Sequence, residues 1–348
     1  MLTKLRIKEI ARETGFHACG ITLPEVPPQA EETIQKWTEN GKHGEMIYLE
    51  RYSKRRDDFW NRFHDAKSVV VLGVNYYSTE HSSKSTPFVG KIARYAWGKD
   101  YHRVISKKIG QLVERFKKES RDSIYFETAV DTKPLLERTL GVRAGLGFMG
   151  KQTQLLSLQF GPWLFLSELI TNLELEPDEP HQGNCGTCRI CIDECPTGAI
   201  EETGEIDARK CIAYLTIEHK SEIPAAVRPK IKNWVFGCDE CLNVCPYTAK
   251  QKPTDWNELT SEQGFGPELD LLKLFETKTN GQYEKIFQGS AISRASRKQL
   301  LRNAAVVLGN QGSKSAIRVL EKAQDEVPPM VREHVLWAIQ RIENRTLD

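Results

Sequence analysis

The chain has 348 residues, with 49 Lys and Arg against 47 Asp and Glu and a formal charge of +2. That length is too great for one compact core and argues for two or three domains, which excludes a small single-site electron carrier. The balanced charges, 28 % of all residues, are those of an ordinary soluble protein, and no stretch approaches the roughly 20 apolar residues that span a bilayer.

In chain order, the N-terminus MLTKLRIKEIARETG reads as an amphipathic helix ending before Gly15. It does not read as a signal peptide, because charges recur every few positions and no apolar run follows. A cytoplasmic location with no membrane association is expected. Helices are predicted over residues 30–40, 101–119 and 134–144, strands over 68–74 (SVVVLGV) and 125–130, and extended apolar runs over 154–158 and 163–170. Residues 171–208 then hold ten Asp and Glu against the single Arg189, and Pro177, Pro180 and Gly183 mark the entry to a loop-rich module reaching about residue 250. Beyond it, LRNAAVVLGNQG (301–312) and VREHVLWAIQRI (331–342) align at an offset of 30, which points to a HEAT-like helical stack. Between Ala291 and Leu320 lie Arg294, Arg297, Lys298, Arg302, Lys314 and Arg318, with no acidic residue. The expected fold is α+β, in three parts. An N-terminal α/β domain (1–175) is followed by a ferredoxin-like two-cluster module (176–255) and C-terminal α-helical HEAT-like repeats (256–348).

Eight of nine cysteines fall between Cys185 and Cys245, leaving only Cys19, read as a buried structural thiol. In a reducing compartment, short fixed spacings argue for metal ligands rather than disulfides. CGTCRICIDECP is the run C-x2-C-x2-C-x3-C-P, in which three thiolates bind one [4Fe–4S] cluster and the fourth reaches the other. GCDECLNVCP mirrors it one cysteine short, and Cys211 is the remaining candidate within the module. One cluster is therefore assigned Cys185, Cys188, Cys191 and Cys245, and the other Cys195, Cys211, Cys238 and Cys241. Structural zinc, which also accepts four thiolates, fits less well with two Cys-Pro endings and interleaved triplets.

GLGFMG (145–150) matches G-x-G-x-x-G with Glu168 roughly where a ribose contact would fall, but a helix precedes it and an extended run follows. A dinucleotide fingerprint needs the reverse order, so a tight glycine turn near a ligand is expected. Asp100-Tyr101-His102 begins like a D-x-H-x-x-G cobalt-ligand signature, yet Ile105 stands at the glycine position, and His102 reads as a helix-start residue near an aromatic. Asp131 lies between a strand and a helix. It reads first as a helix cap and alternatively as a carboxylate at the strand end, where catalytic groups are placed.

RYAWGKDYH (94–102), VDTKPLLER (130–138), AGLGFMGK (144–151), the cysteine pattern, KCIAYLTIEHK (210–220) and GSAISRASRKQLLRN (289–303) together resemble epoxyqueuosine reductase, in order, from about residue 7 to residue 342. The resemblance implies an enzyme with two [4Fe–4S] clusters and cobalamin that reduces epoxyqueuosine to queuosine at the wobble position of tRNA. It implies Asp131 as proton donor, and Arg56, Ala93, Leu155, Leu166, Ala213 and Asp239, with Asp131, along the corrinoid. An external electron donor of flavodoxin or ferredoxin type is implied, and a monomer is expected because nothing in the sequence calls for an obligate partner.

Reducing an epoxide to an alkene takes two electrons, and the departing oxygen must be protonated. An unperturbed Asp, with a pKa of about 3.9, is ionised at neutral pH, so donation by Asp131 calls for burial beneath the corrinoid and away from cations. The basic C-terminal stretch then has a partner in tRNA phosphates, with Lys220, Arg294, Arg297, Lys298, Arg302 and Asn303 as candidate contacts. Two rivals share part of the pattern, a reductive dehalogenase-like corrinoid enzyme acting on a small molecule and a non-catalytic iron–sulfur electron carrier.

Overall fold

The computed structural model describes residues 2–80, 86–120, 123–249 and 251–345. The chain enters through α1 (Lys4–Glu13), whose N-cap Thr3 accepts the Arg6 N–H, followed by β1 (Ala18–Thr22), α2 (Pro28–Glu39) and α3 (Tyr52–Arg62). Next is β2 (Ser68–Asn75), whose apolar run is buried at every position, as a strand covered on both faces must be. The order continues β3 (Val89–Ile92), α4 (Tyr101–Glu119), β4 (Phe126–Ala129), α5 (Glu137–Arg143), β5 (Phe148–Met149), β6 (Leu155–Leu156) and β7 (Leu164–Thr171).

The main sheet has the order β1-β2-β7-β4, and every neighbouring pair is antiparallel. The expected α/β layout of this part therefore gives way to α+β, because its helices are laid on the sheet faces rather than threaded between parallel neighbours. Alternation along β2 sends Val70, Leu72 and Val74 into a large core with Ile105, Ile109, Leu112 and Phe116 of α4. Val69 and Val71 face the other way, into a smaller core with Ala129, Leu140, Leu155, Leu166 and Ile170.

The cysteine-rich segment contributes α6 (Ile190–Asp193), α7 (Ile212–Ile217), β8 (Trp234–Phe236) and α8 (Glu240–Asn243). The C-terminal part opens on β9 (Glu268–Asp270) and α9 (Leu271–Phe275). β3 is the centre of a second sheet, with β8 parallel on one side and β9 antiparallel on the other, so one strand from each third of the chain meets here. The large core is continuous in the same way, running from Ile7 through Phe236 to Val335.

The remaining helices are α10 (Asn280–Phe287), α11 (Arg297–Gln311), α12 (Ile317–Ala323) and α13 (Pro329–Asn344). A capping box of Ser296 and Gln299 starts α11, and Gly312 in the left-handed region ends it. Every residue from Gln299 to Gly309 is buried, which makes α11 an internal helix rather than an amphipathic surface one. α13 packs on it at Gly309, where an added Cβ would lie 2.8 Å from the Trp337 ring and 2.9 Å from Ala338 Cα. Among the described residues no helix is long and apolar enough to cross a membrane. Gly309→Ala is expected to lower stability by about 1–3 kcal/mol through overpacking, measured by denaturant unfolding; an unchanged midpoint would show that the two helices separate freely.

Candidate functional site

The two cysteine runs build matching turns. α6 carries Cys191 and packs against α8, which carries Cys241. Burial first, then the neighbouring Cys185, Cys245 and Cys188, push the Cys191 thiol up. Burial likewise pushes Cys241 well up, followed by Cys238, Cys211, Asp239 and Cys195. The thiols thus fall into two groups of four that feel one another, one of Cys185, Cys188, Cys191 and Cys245 and one of Cys195, Cys211, Cys238 and Cys241. Backbone N–H groups are aimed at sulfur in the second group: Ala199 donates to Cys195 Sγ at 3.3 Å, and such donors outweigh burial to hold that thiol below its ordinary value. Among the described residues no three His, Cys, Asp or Glu side chains converge as ligands of one ion do. Lys151 ties the first run to the N-terminal part by donating to the carbonyls of Gly186 at 3.0 Å and Cys188 at 2.8 Å. Cys19 stands apart in β1, its thiol pushed up to about 12 by burial.

The second group faces the N-terminal part through Asp239. This buried carboxylate accepts the Arg94 N–H at 2.6 Å, and burial raises its pKa to about 6. Tyr95, next in the chain, packs its ring on Phe236 at 6.0 Å and on Tyr101 at 6.2 Å, and so stands between the cluster segment and the Asp131 pocket.

Asp131 is not a helix cap, because α5 begins only at Glu137, with Leu136 at its N-cap. It lies two residues beyond the end of β4, in the left-handed region, φ 54, where a non-glycine residue is uncommon. Tyr101 Oη donates to Asp131 Oδ2 at 2.6 Å, His102 Nε2 lies 3.8 Å from the same oxygen, and the Asp131 N–H donates to Glu137 Oε1 at 2.8 Å. In the protein alone the Asp131 side chain is 64 % exposed, and His102, whose pKa is raised first by its hydrogen bond to Asp100, lies beside it. The protein alone supplies no cover at this position, so any burial comes from what binds over it.

Tyr101 and His102 are placed by a local device, Asp100 at the N-cap of α4, which accepts the His102 N–H at 3.1 Å and contacts His102 Nδ1 at 2.8 Å. His102 stacks on Tyr101 at 4.0 Å, Tyr101 on Phe165 at 4.3 Å, and Phe165 on Tyr76 at 4.2 Å. Sequence reasoning set His102 aside and did not single out Tyr101; the N-cap aspartate was the available signal. GLGFMG forms the expected turn rather than a nucleotide loop, with Gly145 at φ 76 and β5 paired to β6.

The other expected positions divide. Arg56 in α3 is paired with Glu31 at 2.7 Å and Asp57 at 2.7 Å. Ala93, Leu155 and Leu166 are buried in the protein, and Ala213 lies at the start of α7 beside Cys211. Lys220 and Lys298 are exposed, Arg294 reaches the surface paired with Glu218 at 2.9 Å, and Arg297 donates to the Thr277 carbonyl at 2.7 Å. Arg302 and Asn303 are fully buried and cannot touch RNA in this fold. Arg302 donates to the carbonyls of Leu215 at 2.6 Å, His219 at 2.8 Å and Ser221 at 2.5 Å, and Asn303 to those of Thr216 at 2.8 Å and Val235 at 2.9 Å. The physical reason is the end of α7, whose last carbonyls have no partner within the helix and take these donors instead.

Residues 184–248 match the family described as 4Fe-4S double cluster binding domain, and residues 56–132 match that described as Epoxyqueuosine reductase QueG, DUF1730. An epoxyqueuosine reductase of Salmonella typhimurium is 38 % identical over 97 % of this chain and 88 % of its own length. That of Cellulophaga algicola is 40 % identical over 85 % of this chain and 95 % of its own. The structure of epoxyqueuosine reductase from Streptococcus thermophilus is similar with a TM-score of 0.88 at 30 % identity, covering 99 % of this chain and 91 % of that one. A crystal structure of epoxyqueuosine reductase with an epoxyqueuosine-modified tRNA-Tyr stem loop gives 0.86 at 29 % identity, covering 97 % and 90 %. The chain belongs to the epoxyqueuosine reductase family.

Arg302→Ala is expected to cost roughly 3 kcal/mol or more, because it strands buried carbonyls. Unfolding by denaturant measures it, and a loss below about 1 kcal/mol would return Arg302 to the surface residues.

Proposed function

We propose that this protein reduces epoxyqueuosine in tRNA to queuosine, with Asp131 as the acid and the two cysteine groups as the electron supply. The observation that carries the reading is the chain of contacts from Asp239, beside Cys238, through the Arg94 N–H, and from the neighbouring Tyr95 ring onto Tyr101, which holds the exposed Asp131. In this reading Cys185, Cys188, Cys191 and Cys245 hold one [4Fe–4S] cluster and Cys195, Cys211, Cys238 and Cys241 the other, passing electrons singly from an external flavodoxin- or ferredoxin-type donor. A small-molecule dehalogenase or a bare electron carrier explains the family relationship less well. The packing of α13 on α11 supports the HEAT-like reading of the tail, and a tRNA substrate supports a cytoplasmic setting.

Cobalamin is the further cofactor this reading calls for, and the residues present suit its amide-fringed ring. Tyr52 Oη, Gln152 Nε2 and Ser167 Oγ are buried without a hydrogen-bond partner, and they stand close in sequence to Arg56, Leu155 and Leu166. Ala93, Leu155 and Leu166, already buried, would offer backbone atoms, while Arg56, Ala213 and Asp239 complete the set. Bound there, cobalamin would supply a strongly reducing cobalt for cleavage of the epoxide C–O bond. Asp131 gives its proton to the departing oxygen, and Tyr101 Oη fixes which carboxylate oxygen faces away from the substrate. Lys220 and Lys298, with Arg294 and Arg297, meet the RNA backbone.

Purified, reduced protein is expected to convert epoxyqueuosine-containing tRNA to a product lighter by one oxygen in mass analysis. Asp131→Asn should retain iron and bound cobalamin yet give no product, and full turnover by that variant would remove Asp131 from the role. Lys220→Glu with Lys298→Glu should weaken tRNA binding and flatten the log–log salt slope by about 1.4–1.8; an unchanged slope would place the RNA elsewhere.

A further inference from the structure

Glu168 is out of place chemically. It lies on β7 between Leu166 and Ile170, opposite Val71 on one side and Ala129 on the other, and so points into the smaller apolar core beneath α5. It is fully buried, and neither of its carboxylate oxygens meets a donor. The carboxyl that reaches this layer is Glu137: α5 packs on β7, Glu137 Oε1 takes the N–H of Asp131 two residues beyond the Ala129 that faces Glu168, and the charges of the two glutamates act on each other. Two carboxyls in contact form a hydrogen bond only when one of them holds a proton, and an ionised pair in an apolar layer is strongly disfavoured. Glu137 is also the acceptor for the Asp131 N–H at 2.8 Å, which fixes the left-handed turn of the acid.

We propose that Glu137 and Glu168 share one proton beneath the Asp131 turn, and that Glu137 is a positioning residue which holds Asp131 and restores its proton between reductions. The inference rests on the reductase reading above. Conversion of an epoxide to an alkene consumes two electrons, supplied by the clusters, and two protons, and releases water. Asp131 passes one proton to the oxygen. The O–H bond of Glu137 then breaks as an O–H bond forms on Asp131, the second proton follows by the same route, and the carboxyl pair refills from solvent.

The charges facing Glu137 fit this role. Burial, then Asp131, raise its pKa to about 7, and burial with Glu137 raises Glu168 well above the carboxylate range. Arg138, beside it in α5, opposes the shift. Tyr101 and His102 of α4 also sense its charge, while Lys133 is taken by Glu127 at 2.8 Å. The proton is therefore held below about pH 7 and lost as pH rises through that value.

The test uses full-length holoenzyme, epoxyqueuosine-containing tRNA and two readouts. In wild type, kcat should fall as pH rises through about 7. Glu137→Gln should lower kcat roughly 100-fold, remove that limb and leave tRNA binding unchanged, with Glu137→Asp partly restoring both rate and limb. Infrared difference spectra of wild type against Glu168→Gln at neutral pH should show one protonated carboxyl. A Glu137→Gln profile superimposable on wild type, or no protonated carboxyl, would overturn the proposal. Because the infrared band is read without turnover, its presence supports the pair even if the protein proved inactive on this tRNA, an outcome that would count against the reaction instead.

Discussion

The capping of α7 by α11 is the interaction on which the rest of the molecule depends. Gln299 donates to the carbonyls of Ile217 at 2.8 Å and His219 at 3.1 Å, beside the donations of Arg302 and Asn303. These donors close the C-terminal end of a helix whose N-cap is Cys211. One residue before that end, Thr216 Oγ1 accepts the Gly237 N–H at 2.9 Å, immediately ahead of Cys238. Burial lowers the pKa of Arg302 only to about 10, so it stays cationic at neutral pH with carbonyl dipoles around it. A basic side chain from the last third of the chain thus helps to set where Cys211 and Cys238 of the middle third stand.

The next link is the parallel pairing of β3 with β8. It ends with the Ala93 N–H on the Phe236 carbonyl at 2.8 Å and the Arg94 N–H on Asp239. Cluster segment and N-terminal part are then joined by two main-chain donors, one meeting a main-chain carbonyl and the other the buried Asp239 carboxylate. The aromatic column of His102, Tyr101, Phe165 and Tyr76 stiffens the other wall of the pocket. Asp131 itself is left exposed in a constrained turn, a backbone state tolerated where neighbouring contacts over-determine it. Rigid support with an open face is what the role proposed for Asp131 requires.

Much of this was legible in the sequence because it is local. The bounds of α4 follow from Asp100 and from apolar spacing, and the double-cluster segment follows from two cysteine runs that each end in Cys-Pro. Arg302 and Asn303 were misplaced because cationic and polar residues usually mark a solvent face. Gln299, Arg302 and Asn303 do share a helix face, but it meets carbonyls rather than water. Glu137 and Glu168 come together through the register that sets Glu168 opposite Ala129, information that no window of sequence contains. The antiparallel order of the main sheet was hidden for the same reason, since alternating helices and strands suit both layouts.

The central claim is that electrons reach the Asp131 pocket through the group of Cys195, Cys211, Cys238 and Cys241. Iron analysis and low-temperature electron paramagnetic resonance of reconstituted Cys211→Ala, followed by one reductive turnover on epoxyqueuosine-containing tRNA, test it most directly. The account predicts loss of about half the iron, survival of one cluster signal, and no reduced tRNA. Full iron content with both signals intact, or undiminished reduction, would contradict it.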